Sequence, residues 1–561
     1  MIPRGSGRRV ALVVVLAGIV IVGATLLAYR SPGRAKGPAN PATSTLTLSL
    51  PGPFNGCSVL SPDATATTSA VLDLIRPSAF LTGPSDVLYG EGGAIASAEL
   101  ISLHPETVEY SVAPNMLWSN GVSFGVGDLV TWWHSARSLA SINGDGYRDI
   151  SSMVINKKHT AVIATFSTDF ADWNLLFRDV EESGTTSSCA IGQLASQPSL
   201  GPYSVQVATP DRLVLISNPE WTINYNRFHE VIITSATVVA ARGPRYGVVY
   251  APVASQELVD NLVAHPHFLG QLDNSNDIEE ITFSPRTALT SERSIRTALS
   301  WLLDRRAIVQ ALFGTLTFSP SVPTSALFSQ GQIDYPAPVK GLLPTWSNSA
   351  LVDPSLDCRK CALEILKIAG YSYRQHVWYD PSGAEVRLTV VLGPTPLDQL
   401  TAGLVVSQWR SAGFLVDEKV VASDDLAAQA VAQGHADAAV FDRPTSTTAW
   451  LSARSWGQTP YRDSYPSGVR SAETSKLFTL AQGTFNPATA ALTWLKIDHD
   501  ILIRFWVRPL YTVPSLTEWT SPLANVVPAF SMSGLVDQLT NWGIELPTTT
   551  TTHKPPALSV G

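Results

Sequence analysis

Apolar segments change character along the chain. Runs rich in β-branched residues and bounded by turn residues predict strands, whereas apolar residues spaced three and four apart predict helices. The predicted strands are 45–50, 108–112, 161–166, 212–217, 386–393 and 435–441. The predicted helices are 294–313, 361–371 and 397–413, together with a helix that begins near Gly125. Since strands and helices alternate in the second half, we expect an α/β fold without internal repeats.

The segment 10–29, VALVVVLAGIVIVGATLLAY, carries no charge. Its 20 residues match the roughly 30 Å hydrocarbon core of a bilayer at about 1.5 Å rise per residue. No small-x-small cleavage site stands out after it, so we expect an uncleaved signal anchor. We expect the short segment 1–9 to lie in the cytoplasm and the long chain after the anchor to lie outside the cell membrane, in a single-pass protein.

The 561-residue chain is longer than one hydrophobic core normally supports, so we expect at least two lobes. Residues 30–45 are rich in Ser, Pro, Gly, Ala and Thr and predict a flexible linker, and residues 547–561 predict a disordered tail. The net charge is only −8, and no Lys/Arg run or basic stripe interrupted by aromatic residues appears. Nucleic acid is therefore not expected as a partner.

Four cysteines in an extracytoplasmic body predict disulfides, for which three pairings exist. Cys358 and Cys361 have the C-x-x-C spacing at the start of a predicted helix, a pattern shared with redox enzymes. No thioredoxin-like βαβ unit surrounds them, so a local structural disulfide is the favoured interpretation. Cys57 and Cys189 then remain for a second bridge.

The segment GVSFG at 121–125 has the G-x-S-x-G pattern of a hydrolase nucleophile elbow. That motif needs an apolar strand running directly into the serine, but a polar turn precedes Ser123. We interpret the segment as a turn that leads into a helix, with Asp128 capping the helix start.

Other candidate chemistry is weak. NGDG at 143–146 resembles the start of a calcium loop, but Ser152 stands where a bidentate Glu is needed. We therefore expect neither a metal nor a cofactor.

Several segments, in family order, resemble those of the family 5 extracellular solute-binding proteins, the peptide- and nickel-binding class of ABC importers. They are WSNG at 118–121 with GDLV at 127–130, GPY at 201–203 with NPEW at 218–221, and the stretches 294–314, 362–371 and 409–421. The resemblance implies a two-lobe, class II periplasmic-binding-protein fold behind the anchor. It places lobe I at 46–280 and 500–546, and lobe II at 281–499.

The same resemblance implies a non-enzymatic, monomeric receptor that binds a peptide or another small solute in an interlobe cleft and serves ABC permease subunits. In dipeptide-binding members an Asp after a strand holds the ligand ammonium, and Asp442 is the matching acid here. The other candidate ligand-binding residues are Arg443, Trp450 and Asn55, the last of which lies in the PGPFNG start at 51–56. Trp456 is a further aromatic that could stack on a sugar.

Two alternatives stay open. The PGPFNG start and the Trp-rich body are similar to the actinobacterial branch that contains the mycobacterial lipoprotein LpqW, which implies control of cell-envelope glycolipid synthesis instead of uptake. The more distant alternative is an extracytoplasmic serine hydrolase that uses Ser123.

Overall fold

The structure, a computed structural model, describes residues 44–61, 64–139, 144–185, 189–223, 228–235, 245–328, 357–446, 448–454, 456, 467–469, 471–544 and 559–560. The predicted anchor at 10–29, nearly all of the linker, most of the tail and Asn143 lie outside these ranges. Within them, no helix has both the length and the apolar character needed to cross a membrane.

Twenty-one strands are distributed along the described chain. They are β1 Thr45–Ser49, β2 Phe80–Thr82, β3 Leu88–Gly90, β4 Ile95–Leu103, β5 Glu106–Val112, β6 Ile150–Ile155, β7 Ala161–Phe166, β8 Tyr203–Thr209, β9 Arg212–Ser217, β10 Glu230–Thr234, β11 Gly247–Ala251, β12 Phe268–Phe283, β13 Ser372–Arg374, β14 Val377–Tyr379, β15 Arg387–Leu392, β16 Leu415–Val420, β17 Ala438–Pro444, β18 Val507–Thr520, β19 Leu523–Ala524, β20 Gly543–Ile544 and β21 Ser559–Val560.

The α-helices are concentrated in the second half of the described chain. They are α1 Ala66–Leu72, α2 Val126–Ser138, α3 Gln256–Val263, α4 Arg293–Trp301, α5 Arg305–Phe313, α6 Arg359–Ile368, α7 Pro396–Ser411, α8 Asp424–Gln433, α9 Ala449–Ala453, α10 Ala472–Gln482, α11 Pro487–Ile503 and α12 Met532–Val536. Short 3₁₀ turns occur at Trp173–Leu175, Ile191–Ser196 and Leu539–Asn541.

One large mixed sheet runs through both lobes, in the order β16-β15-β17-β12-β18-β11-β1-β10-β9-β8. The strands β16, β15 and β17 are mutually parallel and belong to the second lobe. The strands β11, β1, β10, β9 and β8 belong to the first. A separate antiparallel sheet, β4-β5-β7-β6, covers part of the first lobe.

Two long antiparallel strands join the lobes. β12 pairs with β18 from Phe268 opposite Thr520 to Thr282 opposite Val507, and the register shifts twice along this ladder. At its far end β12 also pairs with β17, so it contributes residues directly to the second lobe. These crossing strands confirm the α/β two-lobe expectation.

Three large hydrophobic cores stabilise the fold. One lies beneath the first-lobe strands and α1, and another lies between β15–β17 and helices α4–α7. The third joins the β4–β7 sheet and α2 to helices α9, α10 and α11. The predicted boundaries place most of α9–α11 in lobe II, yet these helices share a core with the β4–β7 sheet of lobe I. The predicted lobe boundary at 499 stays a prediction.

The predicted single helix at 294–313 is wrong in one respect, because two helices, α4 and α5, occupy it. The break falls at Asp304, whose side chain accepts a hydrogen bond from the Ala307 amide at 2.9 Å. An Asp in extended conformation that bonds the third following amide is an N-cap and starts a new helix. The apolar period continues across the break, which is why the pattern reads as one helix.

The segment around Ser123 is a turn. The Gly121 amide donates to the Trp118 carbonyl at 2.7 Å, the Trp118 amide donates to the Val122 carbonyl at 2.8 Å, and Gly121 has a φ of +82°. The next helix, α2, follows Gly125, whose amide donates to Asp128 at 2.9 Å. The predicted turn and its acidic cap are thus confirmed.

Both cysteine pairs form disulfides, Cys57 with Cys189 and Cys358 with Cys361. The first ties together segments that are 132 residues apart, and the second lies within one turn at the start of α6.

Two residues of the predicted disordered tail form a strand. β21 pairs in parallel with Gln271 and Leu272 of β12. An edge is available there because β17 pairs with β12 only from Asp277 onward, and unpaired backbone groups at a sheet edge accept an added strand.

Candidate functional site

Three chain segments of the second lobe converge at the carboxyl ends of parallel strands. Leu392 of β15 lies beside Val420 of β16 and Val440 of β17. Helix α7 begins after β15, helix α8 begins after β16, and β17 itself continues two residues further to Asp442. In open α/β sheets, ligands bind at this edge of the sheet.

Local hydrogen bonds place two more acids at this edge. The Asp398 amide donates to the Thr395 hydroxyl at 3.1 Å, and the Asp398 carboxylate accepts from the Thr395 amide at 2.9 Å, which forms a capping box at the start of α7. Ser423 caps α8, because its hydroxyl accepts a hydrogen bond from the Leu426 amide at 3.2 Å. Asp424 is therefore the first residue of α8.

Gly393 allows this close approach of the two loops. A Cβ atom added there would lie 2.3 Å from Asp398 Oδ2 and 2.7 Å from Asp424 Oδ1. Because real Cβ atoms essentially never come that close, any side chain at Gly393 would displace the carboxylates.

Asp398, Asp424 and Asp442 each place one carboxylate oxygen within 4.8 Å of the other two. Strand β12 adds Glu279, which lies directly opposite Asp442, and Asp277, which lies opposite Pro444. We call these five residues the acidic cluster.

The acidic cluster lies where the two lobes meet. Asp86, in the turn between β2 and β3 of the first lobe, is close enough to Asp277 for its charge to raise the pKa of that carboxyl. The site therefore receives electrostatic contributions from both lobes.

Burial is the main cause of the raised pKa values in the acidic cluster. Burial, followed by the charge of Asp442, raises the pKa of Asp424 to about 7. Burial and the charge of Asp398 raise the pKa of Asp442 to about 6. Burial also raises the pKa of Asp277 to about 7 and brings that of Glu279 well above its usual range. Removing carboxylates from water and placing them side by side both disfavour the charged form.

Glu279 is the most isolated member of the acidic cluster. Its side chain is 0% exposed, and neither carboxyl oxygen accepts a hydrogen bond from a described donor. Its polar neighbour is the carboxyl group of Asp398, which is also fully buried and has Oδ1 without a donor. A proton or a cation at this point would relieve two facing acceptors.

No Arg or Lys among the described residues forms a salt bridge with the acidic cluster. Arg443, the candidate beside Asp442, turns to Glu280 instead, with Nε and Nη2 at 3.1 and 2.9 Å from its two oxygens. It also donates to the Ala326 carbonyl. In this structure Arg443 is the ion-pair partner of Glu280. Its charge acts on the acidic cluster by partly lowering the raised pKa of Asp277.

The aromatic candidates lie in a core. Trp450 is 3% exposed, its ring packs edge-on against Phe170 at 4.9 Å, and its indole N–H donates to Gln482 at 3.2 Å. Trp456 belongs to the same buried cluster. These contacts favour packing over ligand stacking for both residues.

Asn55 is exposed and lies in a local turn, where its side-chain oxygen accepts from the Gly56 amide at 3.0 Å. The structure therefore brings Asp442, but neither Asn55 nor Trp450, together with the other acids. Sequence reasoning missed Asp277, Glu279, Asp398 and Asp424. The available signals were the acid three residues after the capping Thr395 in TPLD, the acid directly after the capping Ser423, and the acids in the strand segment DIEEITF.

The fold has two α/β lobes that are joined by a pair of long crossing strands, and acidic groups converge at the junction. This architecture is that of a two-lobe periplasmic binding protein. The sequence profile of the bacterial extracellular solute-binding proteins, family 5, matches residues 93–463. The chain belongs to this family. The resemblance of the sequence motifs is thereby confirmed at family level.

Several relatives show the same similarity. The oligopeptide-binding protein OppA of Mycobacterium tuberculosis is 27% identical over 175 residues, which cover 28% of this chain and 29% of OppA. The structure of the periplasmic EDTA-binding protein EppA superposes with a TM-score of 0.78 at 19% identity, over 91% of this chain and 100% of EppA. That of AppA from Bacillus subtilis, in complex with a nonapeptide, gives 0.68 at 14% identity, over 90% and 99%. At these identities the two structures show a shared fold.

Proposed function

We propose that the protein is a membrane-anchored, extracytoplasmic solute-binding protein of an ABC importer, which binds a peptide or a related small solute between its lobes. Asp442, supported by Asp398 and Asp424, receives the cationic group of the solute, such as a terminal ammonium. Permease subunits in the membrane then accept the solute from the protein. The apolar segment 10–29 keeps the receptor near them.

The acidic cluster is the observation that supports this proposal. It combines several carboxyl groups at the lobe junction with no basic residue paired to them among the described residues. A positively charged group of a solute would satisfy those oxygens when the lobes close. Family membership and the alignment with an oligopeptide-binding protein support a peptide as the carrier of that charge.

Asp442→Asn tests the proposal. Removing one partner of a buried charge pair costs about 2–5 kcal/mol, which corresponds to about thirty-fold to several thousand-fold weaker binding. Calorimetric titration of the full-length protein with peptides selected by thermal stabilisation would measure the loss. Asp425→Asn is the matched control, because Asp425 is the exposed neighbour of Asp424 on the same helical turn.

Two results would contradict the assignment. Equal peptide affinity in Asp442→Asn and wild type would remove the ammonium role of Asp442. Failure of every peptide to stabilise the protein, together with copurification of a glycolipid seen by native mass spectrometry, would favour the envelope-regulator alternative.

A further inference from the structure

We propose that Asp398, Asp424 and Asp442 form a binding site for a hard divalent cation of the calcium type, which occupies the acidic cluster when no solute is bound. This goes beyond solute binding, because the ion would be a second ligand of the protein. A solute ammonium at Asp442 would have to displace it.

The donor set fits such an ion. All three side chains are carboxylates, and oxygen ligands of this kind select calcium, magnesium or manganese over metals that prefer nitrogen or sulfur. Two oxygens on opposite sides of a calcium ion are about 4.6–5.2 Å apart, twice the usual calcium–oxygen distance. The three oxygens lie within 4.8 Å of one another, so one ion can contact all of them.

Glu279 provides the second, independent observation. It is 0% exposed, no described donor reaches either oxygen, and its carboxyl group faces that of Asp398. Asp398 Oδ1 and Asp424 Oδ1 are likewise buried without a donor. Buried polar atoms normally have a partner, and here a single cation would supply one to several atoms at once.

Charge balance favours a dication over one ammonium. Once a bound cation holds all three carboxylates in the ionised form, they carry three negative charges, and Glu279 and Asp277 add acidic groups on the adjacent strand. A divalent ion cancels two of these charges, whereas an ammonium cancels one.

The site is also accessible. Asp424 and Asp442 are half-buried, whereas Asp398 is fully enclosed. An ion can therefore enter from the solvent side and reach Asp398 last. The absence of a side chain at Gly393 leaves room for the carboxylates around it.

Calorimetric titration of the full-length protein with calcium chloride tests the proposal. The protein is first passed over a chelating resin, and ionic strength is kept constant with sodium chloride. We expect saturable binding of one ion, with a dissociation constant on the order of 0.1–1 mM or tighter, as in extracellular calcium modules. Magnesium chloride in a parallel titration distinguishes the smaller ion.

Matched variants identify the site. Asp424→Asn should weaken calcium binding by at least about tenfold, since it removes one charged ligand, while Asp425→Asn should leave binding unchanged. Thermal unfolding of each variant without calcium shows whether it is folded. If Asp424→Asn does not fold, Asp442→Asn replaces it in the same comparison.

The outcomes separate this inference from the proposed function. Absence of saturable calcium or magnesium binding up to about 10 mM, ten times the weak end of the expected range, overturns the ion site, even if peptides bind through Asp442. Equal calcium affinity in Asp424→Asn and Asp425→Asn also overturns it. Calcium binding that depends on Asp424, in a protein that binds no solute, supports the ion site and rejects the receptor role. If both proposals hold, calcium should weaken the apparent affinity for a peptide with a free amino terminus.

Discussion

Removing one partner of the ion pair between Arg443 and Glu280 should strongly destabilise the second lobe. Glu280 is 1% exposed and Arg443 17% exposed, and two charge-assisted hydrogen bonds join them at 2.9 and 3.1 Å. Arg443→Met removes the cation but leaves Glu280 buried, and among the described residues the Thr282 hydroxyl at 3.3 Å is the one alternative donor. Breaking a buried pair in this way costs about 3–5 kcal/mol, because one charge is left uncompensated.

Urea unfolding followed by tryptophan fluorescence measures this loss, as the midpoint shift at constant slope. The double variant Arg443→Met/Glu280→Met should recover most of the stability, because replacing both members of a buried pair by apolar residues is often close to neutral. Arg387→Met is the control. Arg387 pairs with Asp417 on neighbouring strands, but the side chains are 53% and 58% exposed, and such a pair contributes about 0–1 kcal/mol.

Two results would refute the reasoning. One is a loss below about 1 kcal/mol in Arg443→Met, the range of an exposed pair. The other is a double variant whose loss equals the sum of the two single losses, which would mean that the side chains are not coupled. A stable Arg443→Met protein with weakened solute binding would instead favour the ligand-binding role of Arg443.

Two further predictions concern stability. Replacing Cys57 and Cys189 by Ala should lower the free energy of unfolding by up to about 4–5 kcal/mol, because the bridge closes a 132-residue span. On the same loop-entropy argument, removing the Cys358–Cys361 bridge, with a separation of 3, should lower it by about 1–2 kcal/mol. Equal losses in urea unfolding would contradict it. Burial raises the pKa of Glu106 from 4.5 to about 8, so the folded state holds the Glu106 proton more tightly than the unfolded state does. The stability that this proton contributes is full below pH 4.5 and is lost as the pH rises through 8. The melting temperature of wild type should therefore fall relative to Glu106→Gln between pH 5 and pH 8.5, and a difference independent of pH would show that Glu106 does not titrate in this range.

Local sequence patterns determined several of the individual elements. The strands predicted at 161–166 and 212–217 coincide with β7 and β9. The helix predicted at 397–413 differs from α7 by one or two residues at its ends. Alternation, β-branched residues and capping residues act over a few positions, so they are visible in the sequence itself.

The tertiary structure alone decided which acids meet. Asp442 was identified from the family resemblance, but Asp398 and Asp424 are 26 residues apart and reach it only because β15, β16 and β17 are parallel neighbours. Strand order depends on long-range packing, which no local pattern specifies.

The roles of Arg443 and Trp450 depended on the same long-range contacts. In the sequence alone, a cationic Arg443 and an aromatic Trp450 in a predicted loop are both compatible with ligand binding. In the fold, Glu280 on β12 pairs with Arg443, and Phe170 and Gln482 enclose Trp450. The sequence by itself thus determined the α/β class of fold and the disulfide-forming cysteines, and the family resemblance added one acid of the candidate site. The tertiary structure decided which other acids join the cluster and which residues contact Arg443 and Trp450. The physical reason is that desolvation and pairing depend on neighbours that lie far away along the chain.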